Sequence, residues 1–285
     1  MAVDENRLRA EGLYECREPV GNLTADLDQI QSMAAGWHHS RKQRGIWTTV
    51  LWIVGVICFM TGALWWLGII LFAAGGWLLH DMKSYPKAVA NHEERCTFGR
   101  SMTAMLAADT DPTEPIAIRV AFDAKEETIS EGALLGRNNG KQRLYKVSWF
   151  SVQANLHDGT TFSETIDDLV RRRSFTNARG KSKVKVRTNN VIAMRFDYPS
   201  EAYGDMTPFR PKMEQEIQLP PGTIVRAVEI SPKAIKVKAL ATQSGSATYL
   251  AQASSMLALG VYRILNLSRE IEARKRAQAG QGGRP

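Results

Sequence analysis

Residues 46–79 read IWTTVLWIVGVICFMTGALWWLGIILFAAGGWLL and contain no Asp, Glu, Lys, Arg or His. As a single helix this stretch would be about 51 Å long, whereas the hydrocarbon core of a bilayer is about 30 Å thick. The chain can reverse at Thr61–Ala63, because the glycine there adopts conformations that other residues avoid. The stretch therefore predicts two short transmembrane spans, Ile46–Met60 and Leu64–Leu79, that form a helical hairpin.

The charges on both sides of this stretch favour a hairpin over a single crossing. Arg41, Lys42 and Arg44 precede the first span, and Lys83 and Lys87 follow the second. Lys and Arg near membrane segments favour the cytoplasmic side, and a hairpin keeps both flanks there. A re-entrant loop that does not cross, or a helical pair buried in a soluble core, would be the alternatives. We predict an integral protein of the bacterial cytoplasmic (inner) membrane with both termini in the cytoplasm.

The composition of the whole chain is that of a basic protein. It has 285 residues, a net charge of +8 and a mean hydropathy of -0.25. This charge favours an acidic partner: lipid headgroups, nucleic acid or another protein. Charged side chains within residues 4–9 do not fit the apolar part of a signal peptide, so we expect the internal stretch to direct insertion. Cys16, Cys58 and Cys96 lie far apart and predict neither a disulfide framework nor a zinc site.

The sequence divides into five predicted segments. They are an N-terminal region with an amphipathic helix (1–45), the transmembrane hairpin (46–79), a juxtamembrane helical linker (80–113), a basic β-rich domain (114–245), and a C-terminal helix with a disordered basic tail (246–285). In the first segment, apolar residues recur at helical spacing from Leu23 to Trp37. This helix would lie on the membrane surface or pack on the soluble domain. In the linker, residues 87–107 have a helical pattern.

From about residue 114 the apolar residues alternate with polar ones, as in half-buried strands. Ile116–Phe122 and Phe150–Leu156 show this pattern. Asp158-Gly159 indicates a hairpin turn, a second hairpin is predicted around Ser231–Lys233, and a turn is predicted at Thr188–Asn190. Six to eight strands with short turns predict a small sandwich or barrel.

The final segment has an apolar stripe that runs from Leu250 to Ile271 and passes into a basic, glycine-rich tail. This amphipathic helix would promote self-association or pack against the strands. The predicted fold class is thus an α+β membrane protein: a two-helix transmembrane hairpin, a β-rich cytoplasmic domain and a C-terminal amphipathic helix.

The densest charge in the chain forms what we call the basic strip. It consists of Arg171, Arg172, Arg173, Arg179, Lys181, Lys183, Lys185 and Arg187, with no carboxylate among residues 171–187. If 183–187 is a strand, its cations project from one face while Val184 and Val186 point to the core. The strip would be a solvated edge that discourages strand pairing, or it would bind anionic lipid. Nucleic acid is the weakest of the three interpretations, because Phe175 is the one aromatic residue within the strip.

Candidate catalytic groups are few. Glu164, Asp167 and Asp168 would serve as an acid–base pair or bind a divalent metal, but ion pairing with Arg171–Arg173 explains them more simply. No other combination of residues matches a nucleophile, metal or cofactor motif, so we predict no cofactor, no metal site and no catalytic residue.

A resemblance covers about thirty residues of this region. Asp158-Gly159-Thr160, Arg171-Arg172-Arg173 and the run from Arg179 to Lys185 resemble a segment of uncharacterised bacterial membrane-anchored proteins. The resemblance implies a bacterial membrane protein and carries no known activity.

The sequence thus predicts a non-enzymatic, membrane-anchored scaffold or assembly protein. Its basic domain would meet anionic lipid or an acidic protein partner, and its C-terminal helix would support self-association. The alternative is an enzyme, or a subunit of one, that acts on a membrane-associated substrate through Glu164, Asp167 and Asp168.

Overall fold

The computed structural model describes residues 3–62, 65–84, 92–133, 140–176, 180–242 and 246–281. The helices within these ranges are α1 (Glu5–Glu11), α2 (Val20–Met60), α3 (Trp65–Ser84), α4 (His92–Ala107), α5 (Ser200–Tyr203), a 3-10 turn (Thr207–Phe209), α6 (Arg210–Glu216) and α7 (Ala247–Gln281). The strands are β1 (Leu13–Glu18), β2 (Ile116–Ala121), β3 (Glu127–Ala133), β4 (Lys141–Asn155), β5 (Thr161–Thr176), β6 (Ser182–Asp197), β7 (Thr223–Ser231) and β8 (Ala234–Ala241). The fold is α+β, as predicted.

The strands form one antiparallel sheet in the order β1-β2-β4-β5-β6-β8-β7. The strand β3 pairs with the first half of β4, beyond the end of β2. The prediction of a sandwich or barrel is therefore wrong, because the sheet is open. Helices cover its apolar face instead of a second sheet. Alternation in the sequence indicates that one face is buried, but it does not indicate whether helices or strands bury it.

The core lies between this face and the helices α2, α4 and α7. Alternate residues of the central strands, such as Ile166, Ile192 and Phe196, are fully buried. Helical side chains such as Leu27 and Leu257 meet them from the other side. Burying an aliphatic or aromatic side chain contributes about 1.5–3 kcal/mol, so this contact stabilises the fold. We call the uncovered side of the sheet the open face.

The helix α2 has 41 residues and belongs to two parts of the molecule. Leu23, Leu27 and Ile30 in its first half are buried in the core, so the amphipathic helix packs on the domain. In its second half large apolar side chains are exposed, with Trp47 at 57% and Met60 at 82%. One continuous helix thus leads from the core of the domain into the apolar segment.

The helices α2 and α3 pack against each other and form what we call the apolar hairpin, residues 46–60 with 65–79. The reversal uses Gly62, which has a φ of +67°. A side chain at Gly68 would meet backbone, since an added Cβ would lie 2.9 Å from the carbonyl oxygen of Gly55. Such close approach through small residues is typical of helices that pack in membranes. Among the described helices, α2 is long and apolar enough to cross a bilayer, whereas the apolar part of α3, Trp65–His80, is shorter.

Several local predictions are confirmed and others are corrected. The hairpins β4–β5 and β7–β8 turn where expected. The turn at Thr188–Asn190 is wrong, because these residues pair with Asp168–Val170 inside a continuous β6. The linker helix begins at His92, and the preceding residues 85–91 lie outside the described ranges.

The helix α7 continues to Gln281, so residues 277–281 of the expected tail are helical and 282–285 lie outside the described ranges. Its apolar stripe, including Leu250, Leu257, Val261 and Ile264, is buried in the core. This favours packing against the strands over self-association.

Replacing Gly68 with Ala should destabilise the apolar hairpin, because the methyl group would press on the α2 backbone. Overpacking of this kind costs about 1–3 kcal/mol. The matched control is Gly76→Ala in the same helix, where an added Cβ meets no atom within 4 Å. Since α2 is shared by hairpin and domain, the thermal midpoint of the whole chain in detergent should fall for Gly68→Ala and stay constant or rise for Gly76→Ala. Equal behaviour of the two variants would contradict this packing.

Candidate functional site

Three central strands of the sheet are much longer than their neighbours. The strands β4, β5 and β6 have 15, 16 and 16 residues, and β8 pairs with β6 only from Asn190 to Asp197. Residues 141–148, 167–176 and 182–189, together with β3, therefore project beyond the core. We call this part the strand extension. From Asp168 to Thr176 it is about 26 Å long.

The strand extension carries the basic strip mainly on the open face. Strand register places Arg171 beside Arg187 and Arg173 beside Lys185. Partners in register project from the same face, and the core-facing residues of β5 are the even-numbered ones, such as Ile166. The cations of the strip at odd positions thus form a patch two strands wide on the side away from the helices.

The two valines of the strip do not lie in the core, which corrects the prediction. Val184 is 65% and Val186 is 55% exposed. They do point to the side of the sheet that the helices cover elsewhere. In the described part of the chain no helix buries these two side chains, so this part of the face is open to solvent.

Not every residue of the strip joins the patch. Arg172 projects from the opposite face, where it pairs with Glu126 at 2.5 Å and its guanidinium lies 5.0 Å from the centre of the Tyr145 ring. Lys181 is exposed near the tip. Arg179 lies outside the described residues.

The patch is not neutralised by acids. Within the described ranges, no carboxylate lies at ion-pair distance from its members, which are Arg171, Arg173, Lys183, Lys185 and Arg187. Arg173 donates a hydrogen bond to the neutral side chain of Gln142 at 2.8 Å, and the ammonium group of Lys185 lies 6.0 Å from the centre of the Phe175 ring. On the same face Asp167 pairs with Lys146 at 3.2 Å. The charge of the patch is therefore not compensated by ion pairs within the described chain.

The path of α2 shows where the apolar hairpin leaves the domain. Leu13, the first residue of β1, pairs with Ala121 at the end of β2 that lies next to the strand extension. The strand β1 therefore runs away from the extension. The helix α2 starts at Val20 at the far end and runs back, so that Asp26 accepts a hydrogen bond from the Tyr14 hydroxyl at 2.9 Å. The second half of α2 thus emerges at the end of the sheet that carries the extension.

The helix α4 supports the same arrangement. Its start lies at the extension, where Arg95 is 3.9 Å from Asp168. Its end lies at the far side, where the carbonyl of Asp109 accepts a hydrogen bond from the backbone N–H of His157 at 2.9 Å. It therefore runs antiparallel to α2, to which it is joined by an ion pair between Arg100 and Asp28 at 2.9 Å. The apolar hairpin and the strand extension project from the same end of the domain.

The three candidate carboxylates do not converge. Asp167 lies on the open face, whereas Glu164 and Asp168 lie on the helix side. Glu164 is fully buried and accepts a hydrogen bond from the Ser254 hydroxyl at 2.5 Å. Their expected ion pairing with Arg171–Arg173 is wrong as well, since none of them pairs with these arginines in the described structure. No group of three potential metal ligands occurs among the described residues.

Asp168 instead joins a buried network at the base of the strand extension. It accepts hydrogen bonds from the Trp149 indole at 2.9 Å and the Asn190 amide at 2.6 Å, and it faces Arg95. Arg95 also donates to the carbonyl of Ala121. Desolvation raises the pKa of Asp168, against the opposing effect of Arg95 and the two hydrogen bonds. Arg95 lies 73 positions from Asp168 in the chain, so no sequence spacing predicts this pairing.

The comparisons with known proteins give no relative. No protein-family model, no curated protein and no solved structure matches the chain.

The stability of the domain should fall as the pH rises from about 5 to 8, because burial raises the pKa of Glu164 to about 8. In the unfolded chain this carboxyl ionises near its ordinary value of 4.5, so rising pH stabilises the unfolded state first. One such group changes the free energy of unfolding by at most about 1.4 kcal/mol per pH unit.

Thermal unfolding at pH 5, 6.5 and 8 tests this effect. The variant Glu164→Gln should lose much of the pH dependence, whereas Ser254→Ala should keep it because the buried carboxyl remains. An unchanged pH dependence in Glu164→Gln would show that other groups cause it.

Proposed function

We propose that the protein is a non-enzymatic, membrane-anchored scaffold, with the apolar hairpin inserted in the bilayer and the basic patch of the strand extension at anionic lipid headgroups. The observation that carries this proposal is the common direction of the two features. An anchored protein of this shape would bring its densest unneutralised charge to the bilayer surface.

The exposure of the apolar hairpin supports insertion. Its side chains form one contiguous set on two helices, and many are about half exposed; they include Trp47, Ile53, Ile57, Phe59, Trp65, Ile70 and Trp77. A patch of this size is rare on the surface of soluble monomers. A bilayer would cover it, and the tryptophans near both ends of the helices would lie at the interfaces.

The length of α2 between the domain and the apolar segment is also comparable to the length of the strand extension. Since Asp28 pairs with Arg100 and the helices are antiparallel, Arg95 and Asp168 lie close to the level of Ala34 in α2. From Ala34 to Ile46, where the apolar segment starts, α2 rises about 18 Å. The strand extension rises about 26 Å over the same direction. Its tip would therefore lie about 8 Å past the level of Ile46, and Arg173 and Lys185, about 17 Å along it, would lie close to that level.

Electrostatic attraction would hold the patch at the surface. Each Lys or Arg near an anionic leaflet contributes about 1 kcal/mol, so the five cations of the patch would act together. Because this attraction is screened by salt, it would orient the domain at low or physiological ionic strength. With basic residues also flanking the hairpin, the domain and both termini would lie in the cytoplasm of a bacterial cell.

The competing functions have less support. Binding of single-stranded nucleic acid uses aromatic side chains as stacking platforms, and Phe175 is the one aromatic residue among the described members of 171–187. An acid–base mechanism needs carboxylates within reach of one substrate, whereas Glu164 and Asp167 project from opposite faces of the sheet.

Neutralising the patch should release the strand extension from anionic bilayers. We would place a fluorophore on Thr176→Cys in a cysteine-free chain and reconstitute it in nanodiscs with headgroup-labelled quencher lipids. Quenching should be stronger with anionic lipid than with phosphatidylcholine, and it should drop on Arg171→Gln, Arg173→Gln and Lys185→Gln together.

The matched control removes three cations elsewhere, with Arg210→Gln, Lys212→Gln and Lys275→Gln, and should leave the quenching intact. Added salt should reduce the signal of the parent protein. Quenching that does not depend on lipid charge, or an equal loss in both triple variants, would contradict lipid contact by the patch.

A further inference from the structure

The outer edge of β6 is unpaired along the strand extension. On its inner side β6 pairs with β5 over its whole length. On its outer side β8 pairs with it only from Asn190 to Asp197. Within the described ranges, residues 182–189 have no strand and no other backbone partner on that side. About half of these residues present both N–H and C=O outward, which makes this edge a template for another strand.

The two faces of this edge differ in chemistry. Lys183, Lys185 and Arg187 project from the open face, and all three are exposed. Val184 and Val186 project from the other face with more than half of their surface exposed. A strand added here would therefore meet three cations on one face and an apolar pair on the other.

A second copy of this chain is a poor occupant of the edge. If two β6 edges pair antiparallel, the cations of one strand lie among those of the other, and like charges opposite each other destabilise a sheet. The same cations would stabilise a strand whose facing residues are acidic. The edge is thus protected against self-pairing and remains complementary to a different sequence.

We propose that residues 182–189 of β6 bind an extended segment of a partner protein in which acidic and apolar residues alternate. The segment adds an antiparallel strand to the sheet. Its acidic side chains pair with Lys183, Lys185 and Arg187, while its apolar side chains pack on Val184 and Val186. Backbone hydrogen bonds supply affinity, and the alternation supplies specificity.

Strand addition at the β6 edge is independent of the proposed contact with lipid. Attraction to lipid depends on the charge of the patch. It involves no alternating order of residues, because a bilayer has none. Strand addition needs the unpaired backbone and the alternation of the two faces. Arg171 and Arg173, which lie one strand further in, remain available to headgroups when the edge is occupied.

The test uses the full chain in nanodiscs of phosphatidylcholine, which carries no net charge. The probe is a fluorescently labelled seven-residue peptide, Glu-Val-Glu-Val-Glu-Val-Glu, with blocked ends. Two control peptides have the same charge: one with the four Glu before the three Val, and one with the alternating order and N-methyl groups on the alternate amides that would face β6 in the antiparallel pair. Anisotropy measures affinity, and hydrogen exchange measures protection of residues 182–189.

The alternating peptide should bind and protect residues 182–189, while both control peptides bind at least about tenfold more weakly. Among protein variants, the triple change Lys183→Gln, Lys185→Gln and Arg187→Gln should weaken binding more than the change of Arg171, Arg172 and Arg173 to Gln, although both remove three charges.

Equal binding of the three peptides would reveal diffuse charge attraction and overturn strand addition, as would the absence of binding. Equal effects of the two triple variants would overturn it too. Each of these results leaves the quenching by anionic lipid unaffected, so the two proposals fail separately.

Discussion

The helix α2 links the core of the domain to the apolar hairpin and sets the geometry between them. Its first half buries Leu23, Leu27 and Ile30 against the sheet, and its second half carries the exposed apolar side chains of the hairpin. Since the helix has no break between Val20 and Met60, the position of the sheet fixes the direction of the hairpin. A flexible linker at this point would leave the domain free to turn, and the placement of the basic patch would then have no consequence.

The helices cover one face of the sheet over only part of the length of β5 and β6, and the strand extension is largely the uncovered remainder. Where α2, α4 and α7 cover one face, even-numbered residues of β5 and β6 are buried and, except for Glu164 and Asn190, apolar. Beyond Asp168 the side chains of β5 and of its partner residues in β6 are half-buried or exposed, and most of them are polar or charged. The buried contacts of Asp168 with Trp149, Asn190 and Arg95 mark this boundary. They tie the base of the extension to α4, so that the charged strands project from a rigid support.

Much of the fold can be predicted from local patterns in the sequence. The apolar run at 46–79, the alternation at 116–122 and the turn signal Asp158-Gly159 correspond to a hairpin, a strand and a tight turn in the structure. The covering of the sheet could not be predicted this way, because alternation reports that one face is buried and does not report what buries it. Val184 and Val186 show the same limit: their alternation with Lys183 and Lys185 is that of a core strand, yet no helix reaches them in the described structure.

The site was predicted in part. The cations of the basic strip are identifiable from composition alone, but their division between two faces depends on strand register, which separates Arg172 from Arg171 and Arg173. The unpaired edge of β6 depends on the short length of β8, a non-local fact. The roles of Glu164 and Asp168 likewise come from distant partners, Ser254 and Arg95, that no spacing rule brings together.

Membrane anchoring as proposed requires that the hairpin cross a bilayer and leave the basic domain on the cytoplasmic side. Cysteine labelling in bacterial cells tests this topology, with single cysteines at Gln43, Thr61 and Gln153 on a cysteine-free background. We expect Thr61→Cys to react with a membrane-impermeant reagent added outside the inner membrane, while Gln43→Cys and Gln153→Cys react only after the cells are opened. Protection of Thr61→Cys from both sides, or its labelling together with Gln153→Cys, would rule out this topology.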